Sequence, residues 1–263
     1  MRSPPLAVLA TFLLCLPAFA AGPLEAAVVD YETGPVRIFQ NDGRYGENGT
    51  LYTATDVGQT QTLFPAMRMT VDLRFSPKHE VVLLYAPLEL NTRATLAQPF
   101  QFRGTLFPSG PVAHRYLFDG YRASYLYGLL TDGPLKLQVG GSFQIRNASV
   151  EFATLDGTLF DRETDIGLVF AFKARLRYDH SSGLWAMLDA DGFSSFGLGV
   201  KGAIYDVALT LGLPLTPSAD LFFRLRYLGG GAEVPSRPLF NWGNFGFALI
   251  GARLDLVRLL PQR

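Results

Sequence analysis

The sequence predicts an all-β protein: a single transmembrane antiparallel up-and-down β-barrel of about ten strands, with short periplasmic turns and long extracellular loops. Three observations support this. Hydrophobic residues make up 48% of the 263 residues and charged residues only 17%, whereas soluble domains are about one-quarter charged. After the N-terminus, no apolar run approaches the ~18 residues that a spanning helix needs. Apolar residues instead alternate with polar ones, and short connections alternate with long ones.

Composition also limits the classes of protein and partner. The formal net charge is zero at pH 7, so there is no basic excess for nucleic acid and no nucleic-acid partner is expected. Mean hydropathy is +0.17. A positive mean hydropathy together with so few charged residues excludes a disordered chain or a coiled coil.

Residues 1–20 are predicted to be a signal peptide. Arg2 supplies the positive region, residues 6–16 form an apolar segment too short to span a membrane, and Ala18-Phe19-Ala20 is an A-x-A cleavage site. Cys15, the one cysteine of the chain, lies in this segment. The mature barrel, residues 21–263, is therefore expected to be exported and to fold without disulfides. An unprocessed N-terminal helix is the alternative.

We predict the ten strands from the alternation of apolar and polar residues at every second position. The pattern is clearest over residues 165–179, where Lys173, Arg175 and Arg177 fall on the face opposite the apolar residues. In the third strand, Val82 and its apolar partners are assigned to the lipid face. The predicted strands are 24–33, 63–75, 80–95, 114–130, 134–150, 163–180, 184–193, 198–213, 219–229 and 244–256.

The connections between these strands alternate in length. Thr131-Asp132-Gly133 and Ser181-Ser182-Gly183 are typical three-residue hairpin turns that end in glycine. A five-residue turn is predicted at 214–218. The long loops are rich in Gly, Asn, Pro and Thr, and are predicted at 34–62, 96–113, 151–162, 194–197 and 230–243.

The polar face has charges of both signs at positions where they can pair. The turns predict that Arg175 lies opposite Asp189, Lys173 opposite Asp191, and Arg226 opposite Asp206, with Glu89 diagonal to Arg68. Buried charges need such partners, so we assign this face to a narrow lumen. A solvated face of a secreted β-sandwich is the alternative. The predicted lumen charge cluster is Arg68, Asp72, Glu89, Arg93, Arg122, Lys173, Arg175, Asp189, Asp191, Asp206, Arg224 and Arg226.

Tyrosines on the apolar face of the fourth strand favour lipid on the outside of the barrel. Tyr121, Tyr125 and Tyr127 lie near the ends of that strand. Aromatic residues at such positions are typical of membrane-interface anchors. Core aromatics of a secreted β-domain are the alternative.

Two stretches carry a family resemblance. The residues from Gly251 to Leu256, in the order Gly-Ala-Arg-Leu-Asp-Leu, resemble the terminal-strand signal of bacterial outer-membrane proteins, although this chain continues to Arg263 without a terminal aromatic. Leu83-Leu84-Tyr85-Ala86-Pro87-Leu88, with Tyr121-Arg122-Ala123-Ser124-Tyr125, resembles an uncharacterised group of proteobacterial outer-membrane barrels. The resemblance implies location in the outer membrane of a Gram-negative bacterium and implies no activity.

The chain offers little material for catalysis. His114, near the outer rim, is the weak candidate for a general base, with Ser109 and Asp119 as its neighbours in sequence. An ordinary loop histidine is the alternative. No ligand spacing for a metal is visible, so neither a metal nor another cofactor is expected.

Three functions from different classes follow. The first is a structural or small-solute barrel with a charge-paired, mostly filled lumen. The second is a lipid-modifying enzyme of the outer membrane that uses His114, although a non-enzyme is favoured. The third is an adhesion barrel that binds through its extracellular loops. The expected partners are outer-membrane lipids, lipopolysaccharide and the barrel-assembly machinery, with any small solute or ligand unidentified.

Overall fold

The computed structural model describes residues 24–195 and 201–259. The predicted signal peptide, residues 1–20, lies outside these residues, as do residues 196–197 of the predicted loop 194–197 and residues 198–200 of the predicted eighth strand. A one-turn helix, Leu256–Leu259, follows the last strand. No helix in the described part of the chain is long and apolar enough to cross a membrane.

Ten strands form a closed antiparallel barrel, which confirms the predicted fold class. Each barrel strand pairs with the barrel strands before and after it, and β1 pairs with β12 to close the cylinder. The short strands β4 and β5 form a separate hairpin. The strands are β1 Ala26–Tyr45, β2 Leu63–Ser76, β3 His79–Leu96, β4 Phe100–Phe102, β5 Thr105–Phe107, β6 Gly110–Leu130, β7 Leu135–Thr154, β8 Phe160–Asp179, β9 Trp185–Ser194, β10 Lys201–Thr216, β11 Ala219–Val234 and β12 Leu239–Asp255.

The short turns and both ends of the described chain lie at one end of the barrel, the terminus end; the opposite end is the loop end. The predicted turn after His180 is confirmed: its N–H donates to the Leu184 carbonyl at 2.8 Å, and Gly183 has a φ of +90°. The turn predicted at Thr131 is present but is one residue longer, since β6 ends at Leu130 and β7 begins at Leu135. Its Gly133 has a φ of +81°, and a bulge lies just before it in β6.

The barrel extends further toward the loop end than the sequence predicts. β1 continues to Tyr45 through much of the predicted loop 34–62, and β11 and β12 take most of 230–243. The sequence analysis interprets Gly34-Pro35 as a loop. In the barrel, a Cβ at Gly34 would lie 2.2 Å from the Ala248 carbonyl oxygen of β12. Glycine is therefore required here by close packing of two strands rather than by a turn.

The two faces of the barrel wall have opposite chemistry. On the outside of β8, the side chains of Ile166, Leu168 and Phe172 are 73%, 69% and 66% exposed. On the inside of the same strand, Lys173 and Arg175 are buried. Soluble β-domains bury their apolar face, whereas this barrel turns it outward, as transmembrane barrels do.

Strand β3 is apolar on its inner face, and here the assignment from sequence is wrong. Val82 and Leu88, each 3% exposed, point into the barrel, as does Leu90. Glu89 and Arg93 therefore lie on the outer face, and neither belongs to the lumen cluster. The outward residues of β3 near the loop end are polar, so polarity alone did not distinguish inside from outside on this strand.

Candidate functional site: the barrel interior

A layer of ion-paired side chains fills the terminus-end half of the interior. We call the following fourteen buried residues the charge layer, in which seven acidic side chains balance seven basic ones: Asp30, Glu32, Asp72, Glu80, Asp189, Asp191, Asp206, Arg68, Arg122, Lys173, Arg175, Arg224, Arg226 and Arg253. Each is within ion-pair distance of at least one opposite charge in the layer.

One group of ion pairs connects β1, β2, β11 and β12. Arg253 donates to both carboxylate oxygens of Asp30, at 2.7 and 2.8 Å. Arg68 donates to Glu32 at 2.8 Å, and Arg224 bridges the two acids, bonding Glu32 and lying 3.5 Å from Asp30. These bonds cross the seam where the first and last strands meet, so they help to close the barrel.

A second group crosses the interior from β2 and β3 to β11. Arg226 bonds both carboxylate oxygens of Asp206, at 2.7 and 2.9 Å. Arg122 lies 3.1 Å from Asp206 and 2.9 Å from Asp191. The chain of contacts continues through Lys173 to Asp189, and ends at Arg175, which bonds Asp189, Asp72 and Glu80.

Ten of the twelve residues predicted for the lumen cluster lie in the charge layer. The two errors are Glu89 and Arg93; Glu89 pairs on the outer surface with Arg115 at 2.6 Å. The predicted twelve leave out four members of the charge layer: Asp30, Glu32, Glu80 and Arg253. Arg253 lies within the stretch that resembles a terminal-strand signal, and continuing the alternation of that strand would have included it. Glu80 is on the same face of its strand as Val82, so the assignment of that face to lipid excluded it.

Some of the predicted charge pairs are directly opposite each other in the sheet, and others are not. Arg175 is directly opposite Asp189, and Lys173 opposite Asp191, as the turn predicts. Asp206 lies opposite Leu228 rather than Arg226, because β10 and β11 are joined by a tighter turn than the predicted one. The long arginine reaches its partner diagonally. The predicted diagonal contact of Glu89 with Arg68 is wrong, since the two side chains are on opposite faces.

An aromatic cluster closes the loop-end half of the interior. We call Tyr45, Tyr52, Phe100, Phe102, Phe107 and Phe152 the aromatic plug; all are buried within one hydrophobic core. Phe152 is its centre, with ring centroids 4.7 Å from Phe100, 4.9 Å from Phe102 and 5.3 Å from Tyr52. The plug joins loop 46–62 and the β4–β5 hairpin to the barrel wall, so these segments pack into the opening.

His114 is part of this packing rather than an exposed base. Its side chain is 1% exposed and edge-on to Phe152 and Tyr52. Its Nδ1 lies 3.2 Å from the Gln59 amide, which in turn accepts from Asn41 at 2.9 Å. Asp119 points to the outer face and cannot reach it. Among the described residues, no group of three or more metal-ligating side chains occurs.

Two cavities adjoin these layers. A polar vestibule of about 550 Å³ opens at the terminus end and is lined by Asp72, Glu80 and Arg175 of the charge layer. A cavity of about 410 Å³ lies toward the loop end, between the walls formed by β6–β8 and β10–β12. We call the latter the side cavity. Its lining includes Tyr116, Val169, Leu228 and Phe245, together with Arg146 and Asp165.

Comparisons with known proteins find likeness in structure alone. No protein-family model matches the chain, and no curated protein matches it in sequence. The outer-membrane protease OmpT from Escherichia coli is similar with a TM-score of 0.46 at 10% identity, over 90% of this chain and 98% of that one. Ail, the attachment invasion locus protein of Yersinia pestis, is similar with a TM-score of 0.36 at 9% identity, over 88% of this chain and 99% of that one. The toluene transporter TodX of Pseudomonas putida is similar with a TM-score of 0.35 at 7% identity, over 89% of this chain and 91% of that one.

Proposed function

We propose that this protein is an integral barrel of the outer membrane of a Gram-negative bacterium, with a structural role and an interior closed to ions and solutes. The observation that supports a closed interior is the stacking of two filled layers. The neutral charge layer leaves no excess of one sign to select an ion, and the aromatic plug covers it on the loop side. An interior of ten strands is narrow enough for side chains to fill.

The outer surface supports the membrane location. Large apolar side chains are exposed around the barrel, as at Ile250, Leu211 and Phe143, and an exposed apolar band of this kind needs lipid. Tyr125 and Tyr127, toward the terminus end of β6, are 47% and 38% exposed, at positions that suit membrane-interface anchors. The proposed partners are accordingly outer-membrane lipids, lipopolysaccharide and the barrel-assembly machinery.

The structure gives less support to the enzyme and adhesion alternatives. The proposed base, His114, is enclosed by the aromatic plug, and its Nδ1 lies against the Gln59 amide rather than against a hydroxyl nucleophile. Much of the chain expected to form free extracellular loops is barrel strand, and loop 46–62 contributes Tyr52 and Val57 to the core.

Planar-bilayer recording tests the closed interior. We expect purified protein inserted into a bilayer to give no steady conductance above that of the bare membrane, because ions would have to displace paired charges and an apolar plug. Insertion is verified separately by the faster migration of the unboiled barrel in SDS gels. A steady, large conductance from heat-shifting protein would contradict the proposal.

A further inference from the structure

The outer wall of the barrel has a groove near the loop end. A cross-strand row of four outward side chains crosses β3, β6, β7 and β8 there, in the order Arg93, Ala113, Ala153 and Phe160. At about 4.8 Å between neighbouring strands, the row is about 14 Å long. Because the two alanines are small, Arg93 and Phe160 form the walls of a groove with an alanine floor. We call it the outer groove; its volume of about 540 Å³ is within the ~300–1,000 Å³ range of small-molecule sites.

The next row toward the terminus end gives the outer groove a polar edge. Its four side chains face each other in the order Asn91, Arg115, Glu151 and Arg162. Arg115 bonds two carboxylates, Glu89 at 2.6 Å and Glu151 at 2.7 Å. The charge of Arg115 is therefore balanced within the wall, and this arginine holds the edge of the groove in place.

The wall formed by Arg93 is an unbalanced positive charge. Its side chain is exposed and has no carboxylate partner within residues 24–195 and 201–259. Arg162 is also exposed, and its contact with Glu151 is long, at 3.8 Å. Around the groove, three arginines thus face the two glutamates that bond Arg115. An excess of positive charge beside a free guanidinium favours an anionic ligand.

The opposite wall of the groove is an aromatic ring. Phe160 is 57% exposed on the outer face, so one face of its ring is open to a ligand. An aromatic face packs well against an apolar surface, and the C–H groups on one side of a sugar ring provide such a surface. The Asn91 amide on the edge offers hydrogen bonds to hydroxyl groups. A cation, an aromatic ring and an amide around one groove favour a saccharide that carries a negative charge.

The height of the groove indicates which saccharide reaches it. Tyr85 and Tyr121 stack on the outer face with ring centroids 4.9 Å apart, and the next outward residue of β6 toward the loop end is the polar Asp119. Ala113 lies six residues beyond Asp119, or about 20 Å along the strand. With a strand tilt of about 40°, the groove is about 15 Å above this boundary of the apolar band. The first sugars of a lipid head lie below this height, whereas an oligosaccharide that extends from them reaches it.

From these observations, we propose that the outer groove binds an anionic oligosaccharide carried by a glycolipid of the outer leaflet. The anionic group pairs with Arg93, and a sugar ring packs against Phe160. The acyl chains of the glycolipid lie along the apolar face of the barrel below the groove. This inference rests on the membrane location proposed above, and it names the place where lipopolysaccharide, one of the proposed partners, contacts the wall.

Native mass spectrometry of the detergent-purified full chain tests the charge, with lipopolysaccharide that ends in a phosphorylated inner core as the probe. We expect Arg93→Ala to lower the affinity about tenfold, as for loss of one hydrogen bond to a charged group. The matched control is Arg37→Ala, which removes an exposed arginine from β1 and should keep the wild-type affinity. Equal losses in the two variants, or no binding to wild type, would overturn the site.

The shape of the groove is tested without any change of charge. Ala113→Trp fills the floor and should lower the affinity for the same probe at least tenfold. Ala123→Trp is the matched control, because Ala123 is an exposed residue on the same face of the same strand, within the apolar band. If the two tryptophan variants bind the probe equally well, the groove is not where it binds.

Two further probes identify the source of the saccharide. Lipid A without a core should bind wild type and Arg93→Ala equally, and the same dependence on Arg93 as for the full probe would overturn the height argument. The free core oligosaccharide should bind more weakly than intact lipopolysaccharide, because it lacks the acyl chains. Equally tight binding would overturn the glycolipid as the source. Heat-dependent gel migration and bilayer conductance are measured on the same preparations, so failure of the saccharide site is distinguishable from failure of the barrel proposal.

Discussion

Replacing Asp206 with alanine is expected to lower the free energy of unfolding by about 3–5 kcal/mol, the range for removal of one partner from a buried ion pair. Asp206 accepts two hydrogen bonds from Arg226 and lies 3.1 Å from Arg122. Without it, Arg226 has no other acid within ion-pair distance in the charge layer. The measurement is a urea titration of the protein in phospholipid vesicles, followed by tryptophan fluorescence.

Two controls identify the cause of this loss. Asp132, exposed in the turn between β6 and β7, should tolerate alanine within about 0.5 kcal/mol. The double variant Asp206→Leu with Arg226→Met should lose less than Asp206→Ala alone, because apolar residues of similar size leave no buried charge unpaired. Equal losses in the single and double variants would show that packing, rather than charge pairing, holds this part of the interior.

The second large effect is expected at the aromatic plug. Phe152→Ala should lower the free energy of unfolding by about 3–5 kcal/mol, the range for truncation of a buried phenylalanine. Phe152 is 0% exposed and contacts rings from β1, loop 46–62 and the β4–β5 hairpin directly or through Phe102. The vesicle urea titration measures the loss, and trypsin cleavage after Arg103 reports release of the hairpin.

Phe160→Ala is the matched control for this variant. Phe152 is paired with Asp161 of β8, and Phe160 is the residue before Asp161. The side chain of Phe160 is on the outer face of the barrel and is 57% exposed. Its removal should leave both the unfolding free energy and the rate of cleavage after Arg103 close to wild type. If Phe152→Ala behaves like this control, the loops close the barrel without help from the plug.

The sequence predicts the barrel well because its strongest signal is local. Along β8, alternating residues settle both the strand and its faces, and the turn at Gly183 then fixes Arg175 opposite Asp189. Both steps need only residues near in sequence. The same reasoning is weaker where a strand is apolar on its inner face, as at Val82 and Leu88 of β3.

The remaining errors involve contacts that are distant in sequence. Gly34 lies within β1 because the backbone of Ala248 passes close to it, more than two hundred residues away. The aromatic plug joins Tyr52 to Phe152, which are far apart along the chain. Alternation within one strand has no information on any of these contacts, so the plug and the side cavity could not be predicted.

Site-directed labelling tests most directly the central claim that the apolar outer face of this barrel lies in lipid. Cys15 is the one native cysteine and falls in the predicted signal peptide, so single-cysteine variants of the cleaved chain can be labelled selectively with bimane. The claim predicts that a label at Phe172→Cys in vesicles is quenched by nitroxide-bearing lipids and shielded from aqueous iodide, while a label at the exposed loop residue Glu47→Cys shows the reverse. Iodide quenching at Phe172→Cys without quenching by nitroxide lipids would contradict it.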